Sequence, residues 1–234
     1  MKKNDTLKVA RFGLLTALTL ILSWLDRLVA PDMLFGIKLG LANTVLLFAI
    51  YTMSWEDCVL LMLVKVALSG FLFSSPTVML YSFAGSSLSL LIMILIRKKP
   101  QYGALAALAA SAAVFIWLQK ADASPDIDVV WTIVLAGLAC AGALAVWILI
   151  ITGKMSGVTG TSLAGAVAHN TGQVLVASLI LQTSALLKSY LPVLVAIGGV
   201  VGCLTGIVAE RVLKALHYQG NVASKEAPRE DEDE

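Results

Sequence analysis

The chain has 234 residues, of which 59% are hydrophobic and only 14% charged, with a formal net charge of +2. Soluble domains carry about 25% charged residues, and here the charges gather between long apolar runs, so the composition excludes a soluble globular fold and predicts a polytopic membrane protein. No basic stripe interleaved with aromatics points to nucleic acid. Cys58, Cys140 and Cys203 stand singly in or beside apolar runs without any CxxC, which reads as packing rather than as a zinc or redox site.

Apolar runs predict helices at 9–25, 39–53, 58–73, 77–96, 102–118, 129–151, 158–182 and 190–213. The first follows a basic start that resembles a signal peptide. A cut after Ala30 would put Leu28 where a small residue is required, so the helix is expected to be retained. Ala10, Gly13 and Ala17 on it form a small-residue step that lets another helix approach closely.

The second and third runs are short against the ~20 residues of a full crossing. Gly36, Gly40, Gly70 and Pro76 sit at their outer ends. Such interruptions point to a binding site in transport proteins, or to tilt and local thinning of the bilayer. Asn43 belongs to the second run, with Lys38 at its mouth, and Lys65 lies in the middle of the third. A mid-depth lysine costs about 3 kcal/mol on insertion scales, so it must face the bundle interior, reach water or snorkel.

In the fourth run Ser82, Ser86 and Ser89 share a face, with Tyr81 and Gly85 beside it. Small residues at that spacing are ordinarily a packing surface. The fifth and sixth runs are Ala-rich and are split by "QKADASPDID". In the seventh, Ser162, Ala166, His169 and Gln173 recur at i, i+4, i+7 and i+11, and Asn170 stands about 100° round from His169. These polar groups would be costly against lipid. Residues 217–234, ending "SKEAPREDEDE", are expected to form a disordered acidic tail.

Lysines and arginines set the orientation. With the N-terminus inside, twelve lie on the cytoplasmic side and four outside, which predicts eight spans with both termini in the cytosol. Within the spans the reading finds Lys65 and His169 but no carboxylate at comparable depth. An anionic group from outside the protein, such as a phosphate, diphosphate or carboxylate, would balance them. No Ser–His–Asp set, P-loop or HExxH is present, and the acidic clusters "DASPDID" and "EDEDE" are not paired metal-binding carboxylates. Neither catalysis by this chain alone nor a metal or resident cofactor is expected.

"GIKLGLANTVLLFAIY" (36–51), "VKVALSGFLF" (64–73), "YSFAGSSLSLLIM" (81–93) and "GTSLAGAVAHNTGQVLVASLIL" (160–181) together resemble a bacterial membrane family. It is called Gx transporter or heptaprenyl diphosphate synthase component I. The resemblance covers roughly 8–97 and 155–213, and the His-Asn-x-Gly-Gln string is its most specific part. Lys65 stands where the family implies a basic residue, commonly arginine. That family is similar to the substrate-binding S-components of energy-coupling-factor vitamin transporters, small helical bundles that dock on a shared transmembrane subunit. Segment 100–153 departs from the pattern as an inserted helical hairpin.

The expectation is therefore an all-α transmembrane bundle over 1–216, a six-helix core plus that hairpin. Its ligand site is expected at Lys38, Asn43, Lys65, Tyr81, Ser82, His169, Asn170 and Gln173, for an anionic or amphipathic molecule of flavin, vitamin or isoprenoid-diphosphate type. Ala10, Gly13 and Ala17 would meet a transmembrane coupling subunit that works with ATPases. The alternative is a non-catalytic membrane subunit supporting a heptaprenyl diphosphate synthase or a flavin/quinone redox assembly.

Overall fold

A computed structural model describes residues 3–29, 40–98, 157–183, 186 and 190–226. The described residues form six α-helices and no strand: α1 (Lys3–Val29), α2 (Asn43–Thr52), α3 (Trp55–Phe73), α4 (Pro76–Lys98), α5 (Val158–Ile180) and α6 (Leu191–Glu226). The expected runs at 102–118 and 129–151 lie outside these residues.

Four of the helices are long and apolar enough to cross a membrane, over Thr6–Leu28, Pro76–Lys98, Val158–Ile180 and Val193–Leu216. At 19 residues α3 also has the length, but it carries Glu56, Asp57 and Lys65. With 10 residues α2 rises only about 15 Å, half the hydrocarbon core. It starts at Asn43 rather than 39 because Gly40 has a left-handed φ of +87°, which breaks the helix. Gly40 and Asn43 therefore do not line one helical side as their spacing suggested. At the other end of the chain α6 runs on to Glu226, past the boundary drawn at 216.

Local chemistry explains the helix ends. Ser54 caps α3 by accepting the Asp57 N–H, and Glu56 and Asp57 complement the positive end of that helix. Asp57 accepts the Ser54 hydroxyl at 2.6 Å and pairs with Lys8 at 3.0 Å. The Ser54 hydroxyl first, and then the Lys8 ammonium, hold the Asp57 carboxyl below its usual range. Pro76 opens α4, where its missing N–H is harmless, and Arg97 and Lys98 close it at the negative end.

The bundle is built around α5, which packs on α4 and α6, while α3 packs on α4 and α1 and the short α2 fits among them. Its distribution of polarity is the reverse of a soluble protein's. Leu14, Ile21, Val200, Leu204 and Val208 face outward, whereas Thr19, Ser23, Ser69, Ser86 and Ser89 are buried. Such an outer face suits lipid, and an interior enclosed by it must satisfy its own polar groups. Apolar contacts fill the two ends: Leu46, Leu61, Met62 and Met93 in one cluster, and Val174, Ala177, Leu186 and Leu194 in another.

Among the described residues, Lys8, Arg97 and Lys214 stand toward one end of the bundle. Lys8 pairs with Asp57 at the start of α3, and Arg97 stands 5.3 Å over the Tyr51 ring at the end of α2. Tyr51 meets Thr161 at the start of α5, and Thr159 donates to Glu210, which also pairs with Lys214. At the opposite end Arg27 donates to the Phe73 carbonyl.

Candidate functional site

The polar centre lies where α2, α3, α4 and α5 converge. Lys65, halfway along α3 and only 5% exposed, donates from Nζ to Asn43 Oδ1 at 2.5 Å and to Ser86 Oγ at 3.4 Å. The late start of α2 and the serine face of α4 bring these two side-chain oxygens to the level of the lysine. Asn43 Nδ2 has no hydrogen-bond partner among the described residues, and neither has Ser89 Oγ nor Asn170 Oδ1.

His169, 3% exposed, is held between two glycines. A Cβ on Gly40 would lie 2.7 Å from His169 Cδ2 and 3.4 Å from Asn43 Nδ2. On the other side, a Cβ on Gly85 would lie 2.9 Å from His169 Nδ1 and 2.7 Å from Gln173 Cγ. The turn before α2 thus presses on the imidazole from one face, and α4 presses on it from the other. Gly40 meets both a steric and a conformational demand, because its left-handed φ also disfavours any side chain.

Of the expected ligand residues, Asn43, Lys65, His169 and Gln173 come together in this way, and Ser82 is buried one turn from Ser86 on α4. Tyr81 is buried too, but in the apolar cluster with Val174, Ala177, Leu186 and Leu194. Asn170 turns to α6, where Nδ2 donates to the Leu194 carbonyl at 2.7 Å. Its 100° offset from His169 points it at the neighbouring helix. Lys38 lies outside the described residues. Ala10, Gly13 and Ala17 face away from the bundle, and a Cβ on Gly13 would meet nothing within 4 Å.

One expectation needs correction: the interior does hold a carboxylate. Because α1 continues to Val29, Asp26 is part of the helix and not of a loop, and it is 2% exposed. Its Oδ2 accepts the Gly40 N–H at 3.0 Å. Thr19, Ser23 and Asp26, all buried, recur at i, i+4 and i+7 on α1, a polar stripe that the sequence carried in plain view.

The centre is closely packed. The cavity beside Gly40 and Asn43, also lined by Thr44, Ser162 and Thr205, measures about 10 Å³, room for about one water. A more open cleft of about 390 Å³ lies at the basic end, between Leu7, Lys8 and Arg11 of α1 and Thr52–Asp57. No group of three or more His, Cys, Asp or Glu among the described residues could hold a metal ion. Chemically the centre offers an ammonium, an imidazole, a carboxylate and amide donors, which suits binding an anion and holding a proton.

No curated protein and no solved structure matches the chain. A family model does, over residues 15–121 and 105–212, two stretches that overlap at 105–121, inside the segment 100–153. Together they take in most of the chain and all of the polar centre, so the chain belongs to the heptaprenyl diphosphate synthase component I family.

Proposed function

We propose that this protein is a non-catalytic integral membrane subunit that binds a small anionic or amphipathic molecule at the Lys65–Asn43–His169 centre and serves its transport. The observation that carries the reading is Lys65: a mid-helix ammonium, buried in a bundle whose outer surface is apolar, held by Asn43 and Ser86. Structural bundles satisfy their cores more cheaply with apolar residues, and ionisable groups at membrane depth mark ligand or ion sites. Flavin, vitamin and isoprenoid-diphosphate ligands all present the anionic group such a site takes. The test is mass spectrometry of small molecules that co-purify with the detergent-extracted protein. An anionic compound retained by wild type and lost on Lys65→Met supports the reading; identical small-molecule content in both removes it.

A second reading is favoured by two findings, the family's name and the small volume, about 10 Å³, of the cavity beside Gly40 and Asn43. In it the bundle is a membrane subunit that supports a heptaprenyl diphosphate synthase or a redox assembly. The polar centre then fixes helix register. Co-purification of a prenyl synthase, with no small molecule retained, separates it from the first.

The outward step Ala10, Gly13, Ala17 is the contact we assign to a transmembrane partner, of the kind that couples S-components to their ATPases. Among the described residues nothing occupies Gly13's open side. Gly13→Leu with Ala17→Leu is expected to abolish pull-down of the partner while the thermal midpoint stays within a few degrees of wild type, since exposed substitutions change stability by roughly 0.5 kcal/mol or less. Intact pull-down with a folded double variant rejects the assignment.

Orientation follows the same charge rule, with the basic end in the cytosol and both termini inside. In an otherwise Cys-free variant, a membrane-impermeant thiol reagent added outside is expected to modify a cysteine at position 122 and not at 154. Labelling of 154 from outside overturns the topology.

A further inference from the structure

The cleft of about 390 Å³ at the basic end lies apart from the Lys65 centre, between Leu7, Lys8 and Arg11 of α1 and the connection that joins α2 to α3. Its level along the molecule is that of a membrane boundary, because the apolar span of α1 starts at Thr6. Two cations open onto it. Lys8 pairs with Asp57 at 3.0 Å yet keeps 61% of its side chain exposed. Arg11 is exposed and makes no ion pair or side-chain hydrogen bond among the described residues. A guanidinium with no carboxylate on it presents a planar fork of donors, the geometry that takes a phosphate in two parallel bonds.

What adjoins the cleft distinguishes a lipid from a soluble anion. Leu7, Arg11, Leu14 and Leu18 recur at i, i+4, i+7 and i+11 on α1, and all three leucines are exposed. Arg11 thus stands within an otherwise apolar outward stripe. On α3, which packs against α1, Asp57 heads a second stripe of Leu60, Val64, Leu68 and Phe71 at i+3, i+7, i+11 and i+14. Leu60, Leu68 and Phe71 are exposed as well. A phosphodiester that carries acyl chains uses both features, its headgroup in the cleft and its chains along the stripes. Inorganic phosphate or a nucleotide leaves the apolar surface unused. Trp55, 60% exposed at the start of α3, is of the residue type that settles at headgroup level.

We propose that this cleft binds the headgroup of an anionic phospholipid, with Arg11 and Lys8 on its phosphate. The site is independent of the Lys65 centre and of what that centre binds. Asp57 shapes the choice of headgroup. Its carboxylate, which accepts the Ser54 hydroxyl at 2.6 Å, repels a phosphate placed directly on it, so the phosphate approaches from the Arg11 side. Lys8 is then shared between Asp57 and the phosphate, as an ammonium with three donors allows. A phosphatidylglycerol headgroup fits the set, because its phosphodiester takes the two cations and its glycerol hydroxyls can donate to Asp57.

The test titrates the full-length protein in detergent micelles with dioleoyl phosphatidylglycerol and follows lipid retention by native mass spectrometry. Dioleoyl phosphatidylcholine and phosphatidylethanolamine are the uncharged comparisons. Each basic residue facing anionic lipid is worth about fivefold in affinity. Arg11→Gln is therefore expected to lose about fivefold in phosphatidylglycerol binding, and Arg11→Gln with Lys8→Gln about 25-fold. Arg211→Gln, at an exposed position of α6 outside the cleft, is the control and is expected to bind as wild type does. The thermal midpoint without lipid checks folding, and if loss of the Lys8–Asp57 pair lowers it, Arg11→Gln alone decides. Inorganic phosphate in large excess, set against chloride at matched ionic strength, is expected to leave the lipid bound. Displacement of the lipid by phosphate, equal retention of the three lipids, or unchanged retention by Arg11→Gln overturns the proposal.

Discussion

Lys65→Met is expected to weaken pyrophosphate or flavin mononucleotide binding about 100-fold or more while the bundle still folds. Truncating one member of a buried, hydrogen-bonded charge pair costs roughly 2–5 kcal/mol of binding, and 100-fold corresponds to about 2.7 kcal/mol. Stability responds less, because two opposing effects meet at this position. Removing Nζ leaves Asn43 Oδ1 and Ser86 Oγ without their donor, a penalty of about 1–3 kcal/mol for each buried polar group left unsatisfied. It also removes an ammonium whose burial costs about 3 kcal/mol, and methionine fills nearly the same volume. Calorimetric titration for binding and fluorescence-detected size exclusion for the thermal midpoint separate the two. Normal binding by the variant, or collapse of the bundle without loss of a ligand, assigns Lys65 a structural role.

How much of this was legible in the residues depended on whether the signal was local. Helices α4 and α5 could be placed within a few residues, since long apolar runs ending in Arg97–Lys98 and beginning after Gly157 admit few alternatives. The polar stripe on α5 was legible for the same reason: helical periodicity alone puts His169 and Gln173 on one face. The start of α2 was not. Whether Gly40 continues a helix or breaks it depends on Asp26 and His169, which lie 14 and 129 positions away in sequence.

Asp26 shows the limit most clearly. The apolar run ends at Leu25, and a carboxylate just past such a run normally marks the water boundary. Here two helix turns of buried hydroxyls, Thr19 and Ser23, lead to it, and it accepts the Gly40 backbone N–H. The helical spacing that aligns Ser162, His169 and Gln173 on α5 also aligns Thr19, Ser23 and Asp26 on α1; a hydropathy window does not find them. Tyr81 and Asn170 lie apart from the Lys65 contacts. Both are buried, as polar groups in a membrane bundle must be, but burial does not specify the neighbour. Each turned to α5–α6 packing, toward Val174 and Leu194, which only the three-dimensional arrangement decides.

The arrangement that matters most is the crossing of α4 and α5, and its weakest tolerance is Gly172. A Cβ there would lie 2.9 Å from the Ala84 carbonyl oxygen and 3.0 Å from Gly85 Cα, so it meets backbone that cannot rotate away. Gly172→Leu must push the two helices apart along the contact that brings Ser86 of α4 to the same level as His169 and Gln173 of α5. Overpacking costs about 1–3 kcal/mol even where side chains can adjust, so a loss of about 3 kcal/mol is expected here, a fall of roughly 10 °C in thermal midpoint for a chain of this size. Gly13→Leu serves as the control on α1, with open space around it and no expected change. The site should fail before the fold does, because Gly85, on which Gly172 packs, seats His169 and Gln173 directly. At temperatures where Gly172→Leu is still folded, its anion binding is expected to have gone. If Gly172→Leu melts within a degree or two of wild type and binds as well, α4 and α5 do not cross as closely as described, and the seat of His169 between Gly40 and Gly85 falls with that contact.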